Sequence, residues 1–364
     1  MQSEEKFLKI GIIGLGLIGG SIAKGIKAAN NNIIISAFDK PEVLSKALSE
    51  KIINVALSNY LEIVDCNIIF LCLPIEISIK VFDDLIPHLK ENTIITDVCG
   101  VKYPFHKVWD EKATKGCYIG GHPMTGKEKG GYDNSDPLLF ENSVFILTKS
   151  KNVKAEHVNT LSNIIKNLGA RIRFLDPKLH DKVVAYVSHL PQLLAISLVN
   201  NLPSNEHNIN FLDFAAGGFR DMTRIASSSY DIWKNVISFN KDEIIYSLND
   251  LKNHIENIIK DIENDNVDNL NNKFLSAAIK RDSIPKNNKG FLSPIYDILV
   301  YVKDEPGVIS KISTALFELN INIKDIELLK IREGDGGTFR LAFDSEEDAS
   351  NAKKIMQKLG YRVN

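Results

Sequence analysis

Three sets of residues in this 364-residue chain have the types and spacing to do chemistry. The first is Gly14, Gly16 and Gly19 in GIIGLGLIGGSIAKGI, which follows an apolar run and opens a helical pattern. In a dinucleotide fingerprint the first glycine permits the turn, the second lets the backbone approach a pyrophosphate, and the third lets helix and strand pack closely. The helix amino terminus then offers unpaired N–H groups and a positive dipole end to phosphates. Leu15, Leu17 and Ile18 fill the intervening positions, and Leu73 and Pro74, which end CNIIFLCLP, are assigned to the same site. Asp39 ends the next apolar run, about 20 residues beyond Gly19. A carboxylate there accepts hydrogen bonds from ribose hydroxyls and repels a 2′-phosphate, so the expected cofactor is NAD.

The second set centres on His122, between Gly121 and Pro123 in YIGGHPMTGKEKGGYDNSDPLLFENS, a stretch that reads as a long polar loop between two strands. Imidazole titrates near neutrality and can take a proton from a hydroxyl as hydride leaves the same centre. A histidine bonded only to backbone fits the composition equally well. The third set is Arg220 and Arg224, four apart in GFRDMTRIASSSYDIWKNV. Two guanidinium groups on one helix face favour an anion between them, and the rigid fork suits a carboxylate, although Asp221 could simply pair with one.

The elements that must position these groups follow from periodicity. From Leu8 to Asp176 the runs LKIGIIGLG, IIISAFD, CNIIFLCLP, TIITDVCG, SVFILTK and RIRFLD alternate with helical patterns. Continuous apolar runs mark strands buried on both faces, as in a parallel sheet. Residues 1–176 are therefore expected to form an α/β, Rossmann-type doubly wound domain. Apolar residues at three- and four-residue spacing predict an all-helical domain over 177–284, then a polar linker over 285–294 containing KNNKGFLSP. Residues 295–364 read strand (Ile295 to Val302), helix (Val308 to Asn320), strand (Ile321 to Ile331), turn EGDGG, strand (Thr338 to Phe343), helix (Glu346 to Leu359) and a final strand. That βαββαβ order predicts a ferredoxin-like plait.

Forty-four Lys and Arg against 46 Asp and Glu leave a net charge of −2, so no basic field exists to gather nucleic acid or an anionic membrane. Cys66, Cys72, Cys99 and Cys117 lack CxxC spacing and read as free thiols of a reducing cytoplasm; no metal is expected. The acidic start MQSEEKFLKI does not resemble a secretory signal, and no stretch reads as a membrane span, so a soluble cytoplasmic protein is expected.

DVCGVK, GGHPMTGKEKGGYDNSDPLLFENS, HDKVVAYVSHLPQLLA and GFRDMTRIASSSYDIWKNV, in that order behind the glycine motif, resemble the prephenate dehydrogenase (TyrA) family across essentially the whole chain. VYVKDEPGVISKISTALFELNINIKDIEL resembles an ACT domain. The resemblance implies NAD-dependent oxidative decarboxylation of prephenate to 4-hydroxyphenylpyruvate by a homodimer. It gives His122 the catalytic role and Arg224 a substrate carboxylate. It places His189, Arg220 and Trp233 in the substrate pocket, with His180 and Asp181 as a nearby polar pair of which His180 is expected to meet substrate. It also implies an amino-acid effector, expected to be L-tyrosine, at Asp304, Gly307, Asn320 and Asn322.

Two departures bear on this. Gly100 stands where many members carry a serine that orients the histidine, and Gln192 where a second histidine often follows SHLP. They leave open arogenate, the transaminated relative of prephenate, as the substrate, and more distantly a non-catalytic NAD-binding amino-acid sensor.

Overall fold

A computed structural model describes residues 8–127, 129–151, 153–203, 209–284, 296–332 and 336–364. The chain divides into two units, Met1–Ile279 and Lys280–Asn364.

In the first unit β1 (Lys9–Ile13), α1 (Leu17–Ala29), β2 (Ile34–Phe38), α2 (Pro41–Ser49) and the short β3 (Val55–Ala56) are followed by β4 (Ile68–Leu71), α3 (Ile75–Leu85), β5 (Ile94–Asp97) and α4 (Tyr103–Lys112). Then come β6 (Cys117–Pro123), β7 (Val144–Lys149), α5 (Ala155–Asn167) and β8 (Arg171–Phe174). The eight strands form one sheet in the order β3-β2-β1-β4-β5-β6-β7-β8. The order reverses between β1 and β4, the switch point beside which ligands bind in such sheets. Successive residues of β1 feed opposite faces: Ile12 joins one core with Phe70 and Phe145, and Ile13 joins the other with Leu71 and Phe82. Helices cover both faces, so the strands need apolar residues at every position.

Two features depart from the sequence-based expectation. His122 lies on a strand, β6, and β6 pairs antiparallel with β7, so the sheet is mixed. The glycines that made Cys117–Pro123 read as loop serve close packing. A Cβ at Gly120 would stand 2.5 Å from Thr148 Oγ1, and one at Gly121 would stand 2.6 Å from the Asp97 carbonyl oxygen. The residues after β6 fold back on α1, where Ser21 Oγ accepts from the Asp136 amide at 2.8 Å.

The helical part begins at Asp176, whose carboxylate caps α6 (Pro177–Val184) by accepting from the Lys178 and Leu179 amides. A π turn, Ala185–His189, runs straight into α7 (Leu190–Asn200). Positions 180 and 189 would point to opposite sides of a straight helix at about 100° per residue. The wider π turn rotates His189 part of the way back, and both histidines are buried. The run Pro177–Asn200 is long and apolar enough by composition to cross a membrane, which the sequence reading did not anticipate. Its buried face carries His180, Asp181, His189 and Gln192, and each is bonded to other parts of the protein.

After it come α8 (Gly217–Thr223), α9 (Tyr230–Phe239), α10 (Lys241–Glu263) and α11 (Val267–Asp282). These expose many large apolar side chains, among them Met222, Ile232 and Phe274.

The second unit runs β9 (Tyr296–Val302), α12 (Val308–Phe317), β10 (Asp325–Arg332), β11 (Gly336–Phe343), α13 (Glu346–Lys358) and β12 (Arg362–Val363). The antiparallel sheet order is β10-β11-β9-β12, with Val300, Ile312, Leu341 and Met356 in its core. The third predicted element starts four residues late, at Asp325, because the Ile321 side chain turns into the core beneath α12 before the strand begins. The expected linker 285–294 and residues 333–335 of the turn lie outside the described residues.

Candidate active site

The glycine motif meets the geometric demands of a dinucleotide. Gly14 has φ +92°, and a Cβ there would sit 2.5 Å from the Cys72 carbonyl oxygen; at Gly19 it would sit 1.9 Å from the Gly14 carbonyl oxygen. Over Gly16 nothing lies within 4 Å, and α1 has no side-chain cap, so its first amides face open space suited to a pyrophosphate. Asp39 follows β2 and accepts from the amides of Leu15 and Lys40. With Lys40, Leu57, Ser58 and Leu73 it lines a cavity of about 880 Å³. Leu15 is fully buried in the core, Leu17 starts α1, Ile18 packs against the core, and Pro74 precedes α3, so these four contribute backbone shape more than side chains.

His122 stands at the carboxyl end of β6, beside the carboxyl ends of β5, β4 and β1. Its Nδ1 lies 2.8 Å from Nε2 of His180, and Nδ1 of His180 lies 2.7 Å from Oδ1 of Asp181. Asp181 also accepts from the amides of Lys102 (2.7 Å) and Tyr103 (2.9 Å), so it caps α4 and joins α4 to α6. A Cβ on Gly100 would be 3.8 Å from His122 Nε2, so position 100 does face the imidazole, as the missing serine requires. Burial, then His180, Lys102 and His189, pushes the pKa of His122 well below the usual histidine value, which keeps the ring neutral.

His180, expected to meet substrate, is fully buried with both ring nitrogens engaged. It stands behind His122 and has no nitrogen left for a ligand. His189 is 3.1 Å from Asn240 Nδ2, and Asn240 donates to the Asp181 carbonyl oxygen at 2.8 Å. Trp233 packs edge-on to the His189 ring with centroids 5.9 Å apart, and burial pushes the His189 pKa down to about 4. His122, His180, His189 and Trp233 are thus linked through Asp181 and Asn240.

Arg220 lies within α8 and donates Nε to the Ala215 carbonyl, while Arg224 opens a 3-10 turn, Arg224–Ser227. Arg224 therefore follows the α-helix that holds Arg220 and does not lie within it. Their turn is tied to α7 by Gln192 Nε2, which donates to the Ile225 carbonyl at 2.9 Å.

Sequence reasoning gave no role to a fully buried ion pair, Lys102 with Asp97, to which Tyr118 adds a 2.8 Å hydrogen bond. Both charged residues lie in TDVCGVK, and a charged pair five apart at a strand end was the available signal. Asn240 left no signal at all.

In the second unit Gly307, at φ +86°, caps the start of α12. It lines a cavity of about 440 Å³ with Asp304, Val308, Ser310, Leu328 and Phe339. Asn320 and Asn322 follow α12 as exposed residues and do not line it.

A doubly wound sheet whose open glycine turn lies at the same carboxyl end as a hydrogen-bonded imidazole pair defines an NAD-dependent oxidoreductase. Family models match residues 22–174 (prephenate dehydrogenase, nucleotide-binding domain), 176–276 (prephenate dehydrogenase, dimerization domain) and 296–361 (ACT domain). The chain is 32% identical to the prephenate dehydrogenase of Bacillus subtilis (strain 168) over 351 residues, 95% of each chain. Among solved structures, Synechocystis arogenate dehydrogenase has a TM-score of 0.68 at 28% identity, covering 76% of this chain and 99% of its own. Prephenate dehydrogenase from A. aeolicus, in complex with hydroxyphenyl propionate and NAD+, also has 0.68, at 26% identity, covering 78% of this chain and all of its own. The chain belongs to the prephenate dehydrogenase family, with a C-terminal ACT domain.

Proposed function

We propose that the chain oxidises prephenate to 4-hydroxyphenylpyruvate with NAD, releasing carbon dioxide, as a cytoplasmic homodimer in tyrosine biosynthesis. The observation that carries this reading is the His122 imidazole, bonded to His180, at the carboxyl end of the sheet where the open Gly16 turn also lies. NAD, when bound, supplies the acceptor for a hydride from the ring carbon that bears the hydroxyl. Gly14, Gly16 and Gly19 admit its pyrophosphate, and Asp39 with Leu73 borders its adenosine. His122 accepts the hydroxyl proton as the carbonyl character develops. Arg224, supported by Arg220, holds a substrate carboxylate, and His189 with Trp233 walls the pocket. The exposed apolar side chains of α8 to α11 support pairing with a second copy.

The Synechocystis relative favours one second reading, with arogenate as substrate. Following NADH or NADPH appearance with prephenate and arogenate, each with NAD and NADP, decides between them. Turnover of prephenate with NAD is expected to dominate, and no turnover with any pair removes the reading.

The ACT domain is the place for an amino-acid effector, and L-tyrosine is the proposed one. Asp304 and Gly307 lie at its cavity, where the amides of α12 face a ligand carboxylate. Millimolar tyrosine should lower turnover and raise the thermal midpoint; unchanged values of both exclude it.

A further inference from the structure

Asp181 is the point where three elements meet. Its side chain holds the amino terminus of α4, its backbone carbonyl takes the Asn240 amide at the start of α10, and it belongs to α6. It is 4% exposed, and its Oδ1 also accepts from His180. Because a carboxylate can only accept, the proton on His180 sits on Nδ1 and its Nε2 is an acceptor. His122 Nδ1 is 2.8 Å from that acceptor, so it carries the proton of that bond. The remaining nitrogen of His122, Nε2, is then unprotonated and faces the space beside Gly100. Protons along Asp181, His180 and His122 therefore run in one direction, and each bond fixes the tautomer of the next ring.

We propose that Asp181 and His180 are positioning residues that hold His122 with a bare Nε2 turned to the substrate hydroxyl. They do so without a serine side chain at position 100. The proposal rests on the reading of His122 as the proton acceptor and adds how the acceptor is set. It also predicts a charge effect. As His122 takes the proton, the positive charge is shared through His180 with the Asp181 carboxylate.

Other charged and titratable groups face this chain. Lys102, Asp97 and His189 lie on the inner side, with Tyr118 on Asp97. Lys178, Lys241, Asp242 and Glu243 line the cavity on the outer side of Asp181. Among these, Asp181 is the carboxylate bonded to His180.

The test compares wild type with Asp181→Asn and His180→Gln. Both variants are expected to lose roughly 10²-fold in kcat with an unchanged KM for NAD. Activity falls at low pH as His122 is protonated, and without the carboxylate that protonation needs a lower pH. The acid limb of kcat/KM should therefore move down in Asp181→Asn, a shift that a purely structural role does not produce. Asp181→Asn also weakens the α4 cap, so if it fails to fold, His180→Gln carries the test, because the His180 ring bonds only within the chain of three. Unchanged kcat in folded His180→Gln overturns the proposal. A histidine-labelled nitrogen spectrum of the wild type without substrate gives a separate reading. A proton on Nε2 of His122 overturns the proposal even if turnover is confirmed. No turnover of any substrate by wild type, with the spectrum as expected, removes the functional reading and leaves the tautomer assignment standing.

Discussion

His122 and His180 meet edge to face, Nδ1 to Nε2 at 2.8 Å and ring centroids 5.0 Å apart, although one lies on a strand and the other on a helix 58 residues later. The His180 ring has no room to turn away. His180 is fully enclosed, and its other nitrogen is bound to Asp181. His122 is thus aimed by a helix outside its own sheet.

The first prediction concerns His122. His122→Asn should lower kcat by roughly 10²- to 10⁴-fold, the usual contribution of a positioned general base. NAD affinity should stay within about twofold, because the glycine turn that admits the cofactor follows β1 and is a separate part of the chain from this ring. Steady-state kinetics with a parallel NAD titration checks both, and a parallel loss of NAD binding would mean that the ring shapes the cofactor site.

The glycines should separate by role. Gly19→Ala forces a Cβ to 1.9 Å from a backbone carbonyl and should yield poorly folded protein. Gly16→Ala meets nothing within 4 Å and should fold normally, with a wild-type thermal midpoint and at least tenfold weaker NAD binding. Normal NAD binding by Gly16→Ala would count against a pyrophosphate passing there.

Lys102→Met should destabilise the first unit by about 3–5 kcal/mol, because it leaves the Asp97 charge buried without its counter-charge. The double variant Asp97→Asn/Lys102→Met should recover much of that loss. Urea midpoints of the two variants test the claim, and equal midpoints would refute the coupling.

Stability should depend on pH through buried histidines. Burial, then Lys102, pushes the pKa of His106 down to about 4, and burial pushes that of His189 down to about 4, from 6.5 in the unfolded chain. Inside that window the unfolded chain binds protons that the native chain refuses, so stability falls as pH falls from 6.5 towards 4 and levels off below. The loss is about 1.4 kcal/mol for each pH unit and each histidine. Thermal midpoints measured across this range should fall steadily; a flat profile would mean that these rings are charged in the native state.

Much of this architecture is legible from local pattern. The apolar runs that fill β4 and β5, the turn GLGLIG and the helical spacing after Asp176 each act within a few residues, where strand alternation, glycine geometry and capping are decided. The departures occur where distant groups decide. Gly120 and Gly121 look like loop residues until Thr148, Tyr118 and the Asp97 backbone crowd the same space. The π turn before His189 has no local mark, yet it rotates that ring towards Asn240.

The sequence by itself determined the order of the elements other than β3 and β6, the dinucleotide turn, the family and the chemical types present at the site. Those depend on side-chain type and short spacing. Only the tertiary structure decided what His180 does, because its partner nitrogen comes from β6 and its burial from the packing of α6 on α4. The same holds for Gly100, whose missing side chain matters through its 3.8 Å approach to a ring 22 residues away on the next strand. Hydrogen-bond direction is a property of assembled groups, and no run of residues encodes it until the chain has closed around them.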